Sequence, residues 1–234
     1  MTIFRKVPQY ARKMSLIAII VIFSLAASTL QVSWPRGTYT LVKPKSGCPQ
    51  GWLEGWRQQD SEDTHNKNFF TPGHHFAGSF SGQFVKYQYC TKNPHQFSNR
   101  NYWPRGNYCI LKHGPSCPRY FRPGCVYWDD ENSRNANKQN GILPSGSYGP
   151  DTRIDYCCRK DGSYKTYMSL PTNKPFYLLR FREPCQRVSG MFVREEIVKT
   201  DDENTANKNY VRGWHPLRAG GSDHVLHYCY YWKY

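Results

Sequence analysis

Three evenly spaced copies of one motif constrain the fold of this chain more than any other feature. Each copy opens with a Pro-containing turn that leads to Tyr39, Tyr108 or Tyr177, and 69 residues separate each tyrosine from the next. An Asp-x-Glu-x-x-x-Asn-x-Asn motif follows in each copy, and a Tyr-Cys pair ends it. Repeats of this length are units that bury a core by packing on one another. The sequence therefore predicts a single domain of three repeats, at approximately 34–102, 103–169 and 170–231.

The composition of each copy indicates β structure. Pro and Gly mark turns, and aromatic or β-branched residues follow them, as in Trp34–Val42 and Trp103–Leu111. After the first 28 residues, no long apolar stretch has the 3.6-residue period of a helix. We expect an all-β, disulfide-stapled fold of short strands and long ordered loops. A threefold prism, a trefoil-like barrel and a sandwich remain open as packing arrangements.

The first 28 residues predict a secretory signal. A basic stretch precedes the apolar run Met14–Ala27, and small residues follow at Ala26–Ser28, where we place the cleavage site. An uncleaved membrane anchor is the alternative, but a run of 14 residues is shorter than the ~20 that span a bilayer. We therefore predict a secreted, extracellular chain that keeps no transmembrane anchor after cleavage.

All nine cysteines lie after this segment, which in an exported chain predicts a disulfide framework. The first and third copies hold two cysteines each, so the simplest pairing is Cys48–Cys90 and Cys185–Cys229. Cys117 then pairs with Cys157 or Cys158, and Cys109 takes the other neighbour. Cys125 is left over, at a position that is Trp56 and Ile197 in the other copies, which predicts a buried free thiol. An intermolecular bridge and a reactive nucleophile are the alternatives.

The positive charge narrows the class of partner. The formal net charge is +15, and it is +11 without the four basic residues of the signal. A cationic extracellular protein is attracted to anionic polymers, such as bacterial wall polymers and acidic glycans. No compact Lys/Arg run occurs outside the signal, so no specific nucleic-acid partner is expected.

The repeated acidic motif has three interpretations. Asp side chains can cap turns while Asn side chains bond loop backbone, which is structural. Calcium binding is the second, because carboxylate and amide oxygens are hard ligands. Direct contact with a ligand is the third, for which the polar loop with Asn135, Asn137 and Lys138 is the candidate. The calcium candidates are Asp60, Glu62, Asp129, Glu131, Asp201 and Glu203.

Enzyme chemistry has no distinctive signature in this chain. An acid–base pair formed by Asp and Glu would occur three times, and three equivalent active sites in one chain are uncommon. The histidines, including His224-x-x-His227, lack free cysteine partners for a zinc site. No Gly-x-Ser-x-Gly elbow, Walker loop or dinucleotide fingerprint is present, so we expect neither a catalytic residue nor a cofactor.

The aromatic C-terminus predicts a strand that finishes the third copy. Strict alternation buries Tyr228, Tyr230 and Trp232 on one face and points Tyr231 outward. Amphipathic rings also form platforms for sugars or flexible chains, so Tyr231 and Trp232 are candidate ligand contacts.

Three stretches together resemble one known family. They are Ser46–Asp63, with its Gly-Cys-Pro-Gln-Gly-Trp start; Val126–Asn132; and Tyr156–Gly162 with Leu170, Pro171 and Pro175–Leu179. In this order they resemble the C-terminal domain of apextrin, ApeC, over about Trp34–Tyr231. Cys125 departs from the family pattern, and the acidic motif of the second copy continues into Asn132 rather than Asp. The resemblance implies a secreted host-defence protein that binds bacterial surfaces, notably peptidoglycan.

Recognition of bacterial wall glycopeptide, without catalysis, is therefore the first functional hypothesis. A structural or adhesive matrix protein is the alternative, because the high Tyr content and the unpaired cysteine suit cross-linking. A wall-degrading hydrolase is the second alternative.

Overall fold

The computed structural model describes residues 32–62, 65–93, 101–132, 134–202 and 207–233. The regular structure in these residues consists of β-strands, five in each copy. The first copy holds β1 (Tyr39–Val42), β2 (Leu53–Asp60), β3 (Phe69–Phe70), β4 (Gly78–Ser81) and β5 (Phe84–Thr91). The second holds β6 (Asn107–Lys112), β7 (Arg122–Trp128), β8 (Lys138–Gly141), β9 (Gly146–Tyr148) and β10 (Thr152–Lys160). The third holds β11 (Phe176–Arg180), β12 (Met191–Thr200), β13 (Tyr210–Gly213), β14 (Arg218–Ala219) and β15 (His224–Lys233).

The antiparallel pairing is the same in each copy, so strands that are five apart along the chain have equivalent partners. The last strand of each copy, β5, β10 or β15, pairs with the first, second and fourth strands of its own copy. The third strand instead pairs with a neighbouring copy, as β8 with β2, β13 with β7, and β3 with β12. The opening strands join the copies, because β6 pairs with both β1 and β11. The predicted all-β class is confirmed.

Both faces of the long closing strands are buried around the Tyr-Cys pair, whereas earlier residues such as Arg153 and Asp155 are half-buried. In each Tyr-Cys pair the tyrosine (Tyr89, Tyr156 or Tyr228) lies in one apolar cluster, and the cysteine (Cys90, Cys157 or Cys229) lies in the other. Successive side chains of a strand point to opposite faces, so each pair links the two clusters through the sheet. Rings supply much of both clusters; Tyr39, for example, packs against Trp52 and Trp103 with centroids 5.7 and 4.8 Å apart.

Four disulfides join the eight cysteines that were predicted to pair. They are Cys48–Cys90, Cys109–Cys158, Cys117–Cys157 and Cys185–Cys229. Three of them link equivalent positions in the three copies, and Cys109–Cys158 is additional to the second copy. Cys125 is a buried free cysteine, 6% exposed, as the comparison with Trp56 and Ile197 predicted. In the described residues, no helix is long and apolar enough to cross a membrane.

Candidate functional site

The repeated Asp and Asn residues bond one copy to the next. The backbone N–H of Asp60 donates to Asn137 Oδ1 at 2.7 Å, and Asp60 Oδ2 accepts from the N–H of Ala136 at 2.7 Å. Asp129 makes the same two bonds with Asn209 and Lys208, and Asp201 makes them with Asn68 and Lys67. We call these six residues the Asp-Asn ring: Asp60, Asn68, Asp129, Asn137, Asp201 and Asn209.

The side chains proposed as ligand contacts in this loop are engaged in internal bonds. Asn135 Nδ2 donates to the carbonyl oxygens of Glu131 and Pro150, and its Oδ1 accepts from the N–H of Asn137. Asn137 Nδ2 donates to Asp130 Oδ2 at 2.7 Å. These bonds support the structural interpretation of the motif. Lys138, by contrast, is exposed on β8.

The calcium candidates lie near these bonds. One carboxylate oxygen each of Asp60, Asp129 and Asp201 accepts a backbone N–H, as described above, and Glu62 and Glu131 are buried. Glu203 lies outside the described residues. Within the described ranges, no group of three or more His, Cys, Asp or Glu side chains is placed to hold a metal ion.

A buried carboxylate lies next to the ring. Asp130 is 1% exposed and accepts from Gln59 Nε2, Thr152 Oγ1 and Asn137 Nδ2 at 2.6–2.7 Å. Gln59 Oε1 in turn accepts from the guanidinium of Arg57, so an amide connects this buried cation to the carboxylate. Burial raises the pKa of Asp130 to about 7, although these donors and the positive charge of Arg57 oppose the shift. Burial likewise raises the pKa of Asp202, the equivalent residue of the third copy.

The prediction that Tyr231 points outward is wrong. Its side chain is fully buried, and its hydroxyl donates to the carbonyl of Gln186 at 2.6 Å. The alternation argument assumed that one face of β15 meets solvent, whereas both faces are covered by the two apolar clusters. Trp232 is half-buried. Its ring lies 5.5 Å from both Phe192 and Tyr230, and Tyr230 stacks on His75 at 4.1 Å.

Two exposed tyrosines form another aromatic surface, which the sequence did not predict. Tyr102 and Tyr120 are 41% and 55% exposed, and their ring centroids lie 6.1 Å apart. Arg36 and Arg119 lie over the Tyr102 ring at 4.9 and 5.4 Å, and Arg119 also lies over Tyr120 at 4.9 Å. A hydrogen bond from Arg119, together with the charge of Arg36, lowers the pKa of the Tyr102 hydroxyl. We call these four residues the Tyr-Arg patch; they present two flat rings and two guanidinium groups to solvent.

The backbone of Tyr120 shows that this ring occupies an unfavourable position. Its φ is +73°, in the left-handed region that side chains other than Gly and Asn rarely adopt. The equivalent residues are Gly51, three residues after Cys48 with φ +76°, and Gly190, directly before Met191 with φ +71°. Residues held in such backbone conformations cluster at ligand-binding and active sites. A comparison of Cys-Pro-Gln-Gly with Cys-Pro-Arg-Tyr could have revealed this substitution in the sequence.

The class of protein follows from these features. A disulfide-stapled, all-β domain with an aromatic and cationic surface is of the type found outside the cytosol. The family model of ApeC, the C-terminal domain of apextrin, matches residues 34–231, and the chain belongs to this family. No curated protein and no solved structure matches the chain significantly.

Proposed function

We propose that this chain is a secreted innate-immune recognition protein that binds bacterial cell-wall components of the peptidoglycan type. The Tyr-Arg patch is the observation that carries the proposal. Exposed aromatic rings pack against the apolar faces of sugars, and arginine pairs with carboxylates of the kind that wall peptides carry. Membership of the ApeC family and the net positive charge support the same partner.

The two alternatives receive less support from the structure. Cross-linking through the unpaired cysteine suits a matrix protein, but Cys125 is buried. Acid–base catalysis needs carboxyl groups that can reach a substrate, whereas Asp60, Asp129 and Asp201 hold backbone N–H groups of neighbouring copies. We therefore propose binding without turnover.

Co-sedimentation with insoluble peptidoglycan at low salt tests the proposal. The double variant Tyr102→Ser/Tyr120→Gly removes both rings, and glycine suits the backbone conformation of position 120. Loss of two central aromatic contacts should weaken binding by roughly 10-fold or more. Tyr167→Ser is the matched control, because Tyr167 is also 55% exposed and lies outside the patch.

The control variant should bind as the wild-type chain does. If the wild-type chain stays in the supernatant at low salt, the proposed partner is wrong. If the double variant and the Tyr167→Ser control lose affinity equally, the patch is not the binding surface.

A further inference from the structure

Two cavities of nearly equal size lie at equivalent places in the first and second copies. The first has a volume of about 290 Å³, and the second about 300 Å³. Each is built where two glycines face each other across a strand pair, Gly55 opposite Gly141 and Gly124 opposite Gly213. A Cβ on Gly55 would lie 2.2 Å from the carbonyl oxygen of Ile142, so the close backbone approach there requires glycine. The two cavities therefore share their facing glycines and their size, and they differ in the other lining residues.

Charge distinguishes the second cavity, which we call the Arg212 pocket. Its lining includes the cations Lys112, Arg153 and Arg212 and the single carboxylate of Asp155. Asp155 lies 2.7 Å from Arg153 Nη2 and 3.9 Å from Lys112 Nζ. Arg212 packs over the Tyr210 ring at 5.0 Å. The lining of this pocket thus carries three positive charges against one negative charge.

In the first and third copies, the basic residue at the end of the opening strand is paired with a glutamate. Lys43, which follows β1, pairs with Glu54 at 2.7 Å, and Arg180, at the end of β11, pairs with Glu195 at 2.5 Å. Glu54 and Glu195 lie opposite the cysteines of the Tyr-Cys pairs, Cys90 and Cys229.

The second copy lacks this carboxylate. Lys112 corresponds to Lys43 and Arg180, because the residue before each of them lies opposite the tyrosine of a Tyr-Cys pair. Opposite Cys157, however, stands Pro123, which carries no charge. The cation is retained and its glutamate is missing. Asp155, at the position of Gln88 and His227 in the other copies, offsets only one of the three cations of the pocket.

We propose that the Arg212 pocket binds a carboxylate group of an external ligand, at the place where the other copies carry a glutamate. The guanidinium group of Arg212 can offer two parallel N–H donors to such a group. Arg153, which is paired with Asp155, and Lys112 add positive charge beside it. Uronic acid sugars and acidic peptides both supply this chemistry. This inference concerns a site separate from the Tyr-Arg patch and stands whether or not the chain binds peptidoglycan.

Calorimetric titration of the full chain at low salt tests the pocket with D-glucuronate, N-acetyl-glutamate and D-glucose. Both acids should bind with a Kd of roughly 1 mM, which corresponds to a binding free energy of about −4 kcal/mol. Glucose should give no heat, because it carries no carboxylate. Tighter binding of glucuronate assigns the pocket to acidic sugars, and tighter binding of N-acetyl-glutamate assigns it to acidic peptides.

Two variants locate the binding in the pocket. Pro123→Glu supplies the carboxylate of the other copies, and Arg212→Asn copies Asn140 of the first cavity; each should weaken glucuronate binding by at least about 10-fold. Gln88→Ala, in the first cavity, is the matched control and should leave the affinity unchanged.

Two results would overturn the inference. They are the absence of any difference between glucuronate and glucose, and an unchanged glucuronate affinity in both pocket variants. Peptidoglycan sedimentation of Pro123→Glu separates the two proposals, because the Tyr-Arg patch is intact in that variant.

Discussion

Single residues are most informative where one copy departs from the other two. Tyr120 occupies a turn position that is Gly51 or Gly190 elsewhere, and Pro123 occupies the position of Glu54 and Glu195. The scaffold tolerates glycine and glutamate at these places, so folding alone does not require the residues of the second copy. Both departures expose chemistry that a ligand can use: an aromatic ring in one case and unbalanced cations in the other.

The buried carboxyl group of Asp130 makes stability depend on pH. Its pKa of about 7 is above the ordinary value of 3.8 that it takes when unfolded, so the folded chain holds a proton that the unfolded chain releases. The stabilisation is complete below about pH 4 and is lost as the pH rises through 7. Between pH 5 and pH 7.5, Asp130 should lower the free energy of unfolding by about 2–3 kcal/mol.

Urea unfolding of the wild-type chain and of Asp130→Asn at both pH values measures this effect. The variant has no group to titrate there, so the difference in stability between the two proteins should change by that amount. His224 acts in the opposite direction, because burial lowers its pKa to about 4, but it is present in both proteins and cancels. A constant difference between pH 5 and pH 7.5 would show that Asp130 does not titrate in this range.

At the scale of loops and strands, the Asp-Asn ring is the principal contact of the motif between copies. We expect Asn68→Ala, Asn137→Ala and Asn209→Ala each to lower the free energy of unfolding by about 2–4 kcal/mol. Each removes a bond from a buried backbone N–H, and Asn137 and Asn209 also bond the carboxylates of Asp130 and Asp202. Chemical denaturation measures the loss, and Asn140→Ala on exposed β8 is the control that should stay within about 0.5 kcal/mol.

A neutral effect of all three substitutions would contradict the structural role of the motif. The sequence did locate these loops, because their residue types and spacing recur three times. It could not show that each Asp bonds the Asn of another copy, since such pairing is decided by how the copies pack. The aromatic strand β15 was misjudged for a related reason: alternation predicts two faces, but only packing determines whether solvent meets one of them.

For the whole molecule, the sequence predicted the all-β class and a disulfide framework, because turn residues and cysteines are local signals. The exchange of strands between copies was not predicted, because β3, β8 and β13 are two to four residues long and β8 is polar and exposed. The Tyr-Arg patch and the Arg212 pocket were missed because each joins residues that are distant in the sequence, such as Arg36 with Tyr102 and Lys112 with Arg212.

The exchange of strands between copies predicts that residues 33–234 unfold in one cooperative step. Each copy supplies a strand to a neighbour, and the N–H of Glu62 in the first copy donates to the carbonyl of Asp201 in the third at 2.9 Å. No copy can therefore lose its structure without exposing the edge of another. Differential scanning calorimetry of the oxidised chain should show one transition, with equal calorimetric and van't Hoff enthalpies of about 140 kcal/mol near 60 °C. Two or three resolved transitions, or a folded fragment of residues 33–102 alone, would show that the copies are independent.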